Sequence, residues 1–145
     1  MAKLTNNERF NGFTDIYKLT AAEITSLTTG VQKTIASLPP GGVVTGAAVF
    51  ELVTSAGTST DLTLDVGTTG ADPDEYIDAL DLDGLTKAAF NTGDVLINTA
   101  AGYAINDTAS AVPIVIECNF TGTVTAGEWF IGLTILDLGT LASNA

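Results

Sequence analysis

Between Pro113 and Phe120 the residues Ile114, Ile116, Cys118 and Phe120 recur at every second position, and between Glu128 and Leu138 the same holds for Trp129, Ile131, Leu133 and Ile135. Successive side chains of a β-strand point to opposite faces, so a period of two gives each segment one apolar face. A helix would scatter these residues around its axis. The chain must therefore build its core from strands.

Thr60 to Val66 repeats the pattern, with Leu62, Leu64 and Val66 alternating with Asp61, Thr63 and Asp65, and the acids are expected to face water. Val43 to Thr54 reads as the first long strand. Val44, Ala48, Phe50 and Leu52 fall on one of its faces, and Thr45, Ala47, Val49, Glu51 and Val53 on the other. Val31 to Leu38 is a further strand. It stops at Pro39-Pro40-Gly41-Gly42, where two prolines remove donors and two glycines admit positive φ, so a turn falls there.

Thr14 to Leu19 alternates and runs into Thr20-Ala21-Ala22-Glu23, a capping-box pattern ahead of Ile24 and Leu27. A strand followed by one or two helical turns is predicted. Thr121 to Gly127 reads as a hairpin connection between the last two strands, while Asp94 to Asn98 and Tyr103 to Ile105 carry a weaker alternation.

Together these segments predict an all-β chain: a jelly roll or β-sandwich of about eight strands with one or two short helices. A chain of 145 residues suits one domain, which at that size buries roughly 68 to 70% of the surface its unfolded form exposes. The domain is expected to span residues 13–145. Residues 1–12 are polar and read as an extended arm that orders against a neighbouring subunit, with Lys3, Leu4, Arg9 and Phe10 as its contact residues.

Seventeen acids against five bases give a net charge of −12. Such a surface repels phosphate backbones and anionic headgroups, so neither nucleic acid nor membrane is an expected partner. The arm is the exception, carrying Lys3 and Arg9 against Glu8 alone. No apolar run approaches the ~18 residues of a membrane span, and no early apolar stretch marks a standard secretion signal. Cys118 is the only cysteine, which excludes an intrachain disulfide and fits synthesis in a reducing compartment.

The sequence has no histidine, which removes the usual general base, the Ser-His-Asp and Cys-His arrangements and the commonest transition-metal ligand. Cys118 falls on the apolar face of its strand, the setting of a core thiol rather than a nucleophile. No glycine-rich phosphate loop is present. Glycosidases need two carboxylates about 5 to 9.5 Å apart, whereas Asp61 and Asp65 on one strand would lie about 13 Å apart. Glu117 and Glu128 flank the last connection and would meet only in a favourable register. No catalytic residue and no cofactor is expected.

The most distinctive local feature is the acidic segment Asp72 to Gly84. Asp72, Asp74, Asp78, Asp81 and Asp83 are a candidate hard-cation site, since Ca²⁺ prefers clustered carboxylate oxygens, although the spacing differs from an EF-hand loop. A capped surface helix fits more fully. Asp72 would be N-cap, Pro73 the first helical residue, Glu75 the third, and Tyr76 and Leu80 the face that packs down. Trp129 and Phe130 point to opposite faces of the last strand, so one belongs to the core and the other covers a second layer or meets a neighbour.

Val43 to Thr54 after Pro-Pro-Gly-Gly, Leu62-Thr63-Leu64-Asp65-Val66-Gly67, Gly70-Ala71-Asp72-Pro73-Asp74-Glu75-Tyr76 and the closing strands through Ile131 to Leu136 together resemble the jelly-roll capsid decoration, or cement, proteins of tailed bacteriophages. The likeness runs from about Val43 to the C-terminus. It implies a homotrimer on the capsid exterior at local three-fold positions, bridging major capsid subunits, with no catalytic residue. Two rivals stand beside it. One is a surface module that binds glycans through Trp129 or Tyr103; the other is a different virion component, such as a head fibre, tail tube or baseplate part.

Overall fold

The computed structural model describes residues 13–84 and 104–139. Seven strands and one short helix lie within them: β1 (Asp15–Thr20), α1 (Ala21–Leu27), β2 (Lys33–Leu38), β3 (Gly42–Gly57), β4 (Thr60–Thr68), β5 (Ile77–Asp81), β6 (Val112–Thr121) and β7 (Val124–Asp137). They form two antiparallel sheets, ordered β1-β7-β3 and β2-β6-β4-β5. The chain passes repeatedly from one sheet to the other, so apart from β4 and β5 the strands adjacent in a sheet are distant in sequence. That order is the jelly-roll form of a β-sandwich. Asp94 to Asn98, the arm of residues 1–12 and Tyr103 lie outside the described residues, and Ala104 to Asn106 is irregular chain rather than strand.

The predicted alternations build the core. Leu62, Leu64 and Val66 of β4 and Ile114, Ile116 and Cys118 of β6 are fully buried, and they face Leu19, Trp129, Ile131 and Leu133 from the other sheet. Each such aliphatic side chain contributes roughly 1.5–3 kcal/mol on burial. At Thr20 both halves of the capping box form, with Glu23 N–H donating to Thr20 Oγ1 and Thr20 N–H to Glu23 Oε2, each at 3.3 Å. Helix α1 then seals one end of the sandwich with Ala21 and Ile24.

Four sequence expectations are corrected. The first concerns β3, where strict alternation fails because the register with β7 shifts between Val44 and Gly46. This bulge changes which parity faces inward. Val44 and then Ala47 and Val49 therefore enter the core, and Leu52 is left exposed.

The second is the helix expected from Asp72, which is instead an extended loop leading into β5. Pairing with β4 outweighs the local capping signal, because Tyr76 N–H donates to Val66 O at 2.9 Å and Leu82 N–H to Leu62 O at 2.9 Å. These bonds carry Tyr76, Ile77 and Leu82 into the core. The Glu75 carboxylate, released from any capping role, accepts from Thr68 N–H and Oγ1 at 2.9 and 2.7 Å.

The third is the hairpin at Thr121 to Gly127. Strands β6 and β7 lie in different sheets, and the link between them is an arch rather than a hairpin. It is braced by a second arch between β3 and β4: Thr58 and Ser59 both donate from backbone N–H to Thr123 O, at 3.0 and 2.9 Å. Gly57 and Gly122 turn these corners at φ of 132° and 91°, where a side chain would strike the opposite arch.

The fourth is Asp65, expected to face water but buried with 7% exposure. The loop ahead of β5 folds over its side of the sheet, bringing backbone of Pro73 and the Glu75 carboxylate against Gly67.

Candidate functional site

The outer face of the β2-β6-β4-β5 sheet gathers the polar groups. Antiparallel register sets Asp65 opposite Glu117 and Thr63 opposite Asn119, which places each pair on one face. Asp65 Oδ1 accepts from Ala79 N–H at 2.6 Å and Oδ2 from Asn119 Nδ2 at 3.2 Å. Burial pushes the Asp65 carboxyl above its ordinary value against the Ala79 hydrogen bond, and the charges of Asp72, Asp78 and Glu117 add to the rise. Glu117 accepts from Gln32 Nε2 at 3.1 Å, and the same amide donates to Gly70 O at 2.6 Å. This carboxylate pair is thus bound into structure.

A cleft of about 310 Å³ opens beside this face, lined chiefly by Leu38, Thr68, Glu75, Tyr76, Ile105 and Val112. Its floor is fixed by Asn106. The Asn106 side chain donates to Leu38 O and Ser110 O at 3.0 and 2.9 Å, while its backbone exchanges bonds with Gly41 and Gly42. The Tyr76 phenol is pushed up to about 12 by burial, with the Glu75 charge adding to it, so it stays protonated. Glu75 is already held by Thr68. The cleft offers an apolar wall and a polar rim for contact.

The candidate cation residues are spread along extended chain. Asp72 and Asp74 lie in the loop, Asp78 and Asp81 on β5, and Asp83 just beyond it. Asp81 accepts from Gly84 N–H at 2.9 Å and Asp83 from Ser55 Oγ at 2.7 Å. Among the described residues no three carboxylate, thiol or imidazole side chains converge in a way that would hold a metal ion. Lys3, Leu4, Arg9 and Phe10 lie outside the described residues.

Glu117 and Glu128 sit in different sheets, and Glu128 pairs with Lys18 at 2.8 Å. The Cys118 thiol is pushed up to about 12, by burial first and by the charges of Asp65 and Glu117 after it. Trp129 is fully buried, which overturns its reading as a platform for sugars. Phe130 takes the opposite face and packs edge-on against Phe50 at 6.0 Å between ring centroids.

Two arrangements escaped the sequence. One is the cluster in which the Tyr17 hydroxyl donates to Glu23 while Lys33 Nζ lies 2.5 Å from Glu23 Oε1. Burial alone would raise the Glu23 carboxyl, but the hydrogen bonds from Lys33 and Tyr17 outweigh it and hold it below its ordinary value. The other is Glu51, which points into the core with 5% exposure. The capping box signalled part of the first; only the inward parity of Ala47 and Val49 could have signalled the second.

No protein-family model matches the sequence, and no curated protein matches it. A chain in a solved structure described as the cyanophage Pam1 capsid asymmetric unit is similar to this one, with 20% sequence identity, coverage of 93% of both chains and a TM-score of 0.49.

Proposed function

We propose that the chain is a structural protein of a tailed-phage virion, a decoration or cement protein that sits on the capsid exterior as a homotrimer and bridges major capsid subunits. The observation that carries this reading is the strand order β1-β7-β3 over β2-β6-β4-β5. It is the jelly roll that the sequence resemblance implies, and the strand pairing alone defines it.

The chemistry of the surface supports the same role. Asp65, Asn119, Glu117 and Gln32 on the outer face hold strands and loops together, and both lysines among the described residues are already paired, Lys18 with Glu128 and Lys33 with Glu23. The remaining surface is strongly acidic, which suits an exterior position and disfavours one beside packaged DNA. Residues 1–12 supply Lys3 and Arg9, which complement that surface on a neighbouring subunit, with Leu4 and Phe10 as apolar anchors.

Native mass spectrometry of the purified chain tests the assembly state. The expected species is three times the chain mass of 14.8 kDa, with the trimer weakened by removal of residues 1–12. A monomer at all concentrations would overturn the trimeric reading.

A further inference from the structure

On the inner face of the β1-β7-β3 sheet, the cross-strand row Leu19, Trp129, Glu51 contains two fully buried apolar residues and one carboxylate. Glu51 Oε1 accepts from Thr54 Oγ1 at 2.9 Å. Glu51 Oε2 and Trp129 Nε1 are both buried, and neither has a hydrogen-bond partner among the described residues. Leaving a buried polar atom unsatisfied costs about 1–3 kcal/mol, more for a charged group, so two in neighbouring positions call for a common explanation.

The two atoms make complementary demands. An indole N–H only donates and a carboxylate oxygen accepts, and the two atoms are not bonded to each other, so a single occupant that satisfies both must donate to Glu51 and accept from Trp129. A metal cation would serve the carboxylate and face the indole proton; a simple anion would do the reverse. Directly opposed residues of an antiparallel pair have Cβ atoms about 4.5–5.5 Å apart. Glu51 and Trp129 are such a pair, so one small occupant can reach both side chains. Gly127 lets the benzo edge of the indole pack against its backbone, since a Cβ there would strike the ring.

We infer that Glu51 and Trp129 form an internal binding site for one water molecule, which receives the Trp129 Nε1–H bond and donates to Glu51 Oε2. The water joins β3 to β7 where the register of β3 shifts between Glu51 and Val53, so it supplies a cross-strand link at the point where the ladder is disturbed.

Trp129 is the only tryptophan, so its indole N–H gives a single, assignable NMR signal. The expected result is a water-to-indole cross-peak with the sign of a long-lived bound water, retained in Glu51→Gln and lost in Glu51→Leu. Absence of that cross-peak in the wild-type protein, or its persistence in Glu51→Leu, would overturn the proposal. If the Leu variant fails to fold, the wild-type spectrum decides alone. A high-resolution crystal structure in which Trp129 Nε1 bonds directly to Glu51 would also overturn it.

Discussion

The carboxylate of Asp65 accepts the backbone N–H of Ala79 at 2.6 Å, across from a strand that the local sequence marks as a helix. Ala79 holds φ at 46°, a left-handed conformation that a non-glycine residue keeps only when its surroundings enforce it. Asp65 is part of that enforcement. Asp65→Ala should cost about 1–3 kcal/mol in chemical denaturation, because the Ala79 donor loses its partner. Asp65→Asn keeps an acceptor and removes a charge from beside Asp72, Asp78 and Glu117, so at pH 7 it should match or exceed the wild type in stability.

The pH dependence of the same pair has a fixed sign. Folding raises the Asp65 carboxyl above its ordinary value of 3.8, so the fold favours the protonated form. Relative to Asp65→Asn, the wild type should gain stability as the pH falls through the folded value toward 3.8, and the difference should be level below that. Denaturation midpoints of both proteins measured across the acid range check this.

Glu23 should behave in the opposite way. Its folded value lies below the ordinary 4.5, so its contribution is complete above that point and is lost as the pH falls through the folded value. Glu23→Gln should lack this acid-side loss. Thr20→Ala, which removes the cap and the Thr20 hydroxyl bond to the Glu23 carboxylate, should cost about 1 kcal/mol at neutral pH, as read from thermal or denaturant unfolding.

Cys118 should be inert in the folded protein. Its thiol is fully buried and held protonated at pH 8 by a value pushed up to about 12. A chromogenic disulfide reagent should modify it only at the rate at which the sandwich opens, and immediately in denaturant. Fast modification under native conditions would place the thiol at the surface.

The strands were legible wherever one residue in two was apolar, as in β4, β6 and β7, and the helix wherever its cap was written locally at Thr20 and Glu23. What escaped depends on contacts between distant segments. The bulge after Val44 leaves no mark in the pattern, because Ala, Val and Gly suit either face. Asp72-Pro73-Asp74-Glu75 is a sound helix start, and only the free edge of β4 turned the residues after it into β5. Whether Thr121 to Gly127 was a hairpin or an arch depended on which sheet each neighbour joined, and that is a property of topology rather than of the loop. The absence of histidine was legible outright, whereas the orphaned pair Glu51 and Trp129 required the register of β3 on β7.

The proposed decoration role is tested most directly by a density map of the phage particle whose genome would encode this chain. A decoration protein predicts trimeric density on the outer surface of the head shell, each copy fitted by the two sheets β1-β7-β3 and β2-β6-β4-β5 and touching more than one capsid subunit. Density for the chain in the tail or baseplate, or purified particles that lack it, would contradict that role.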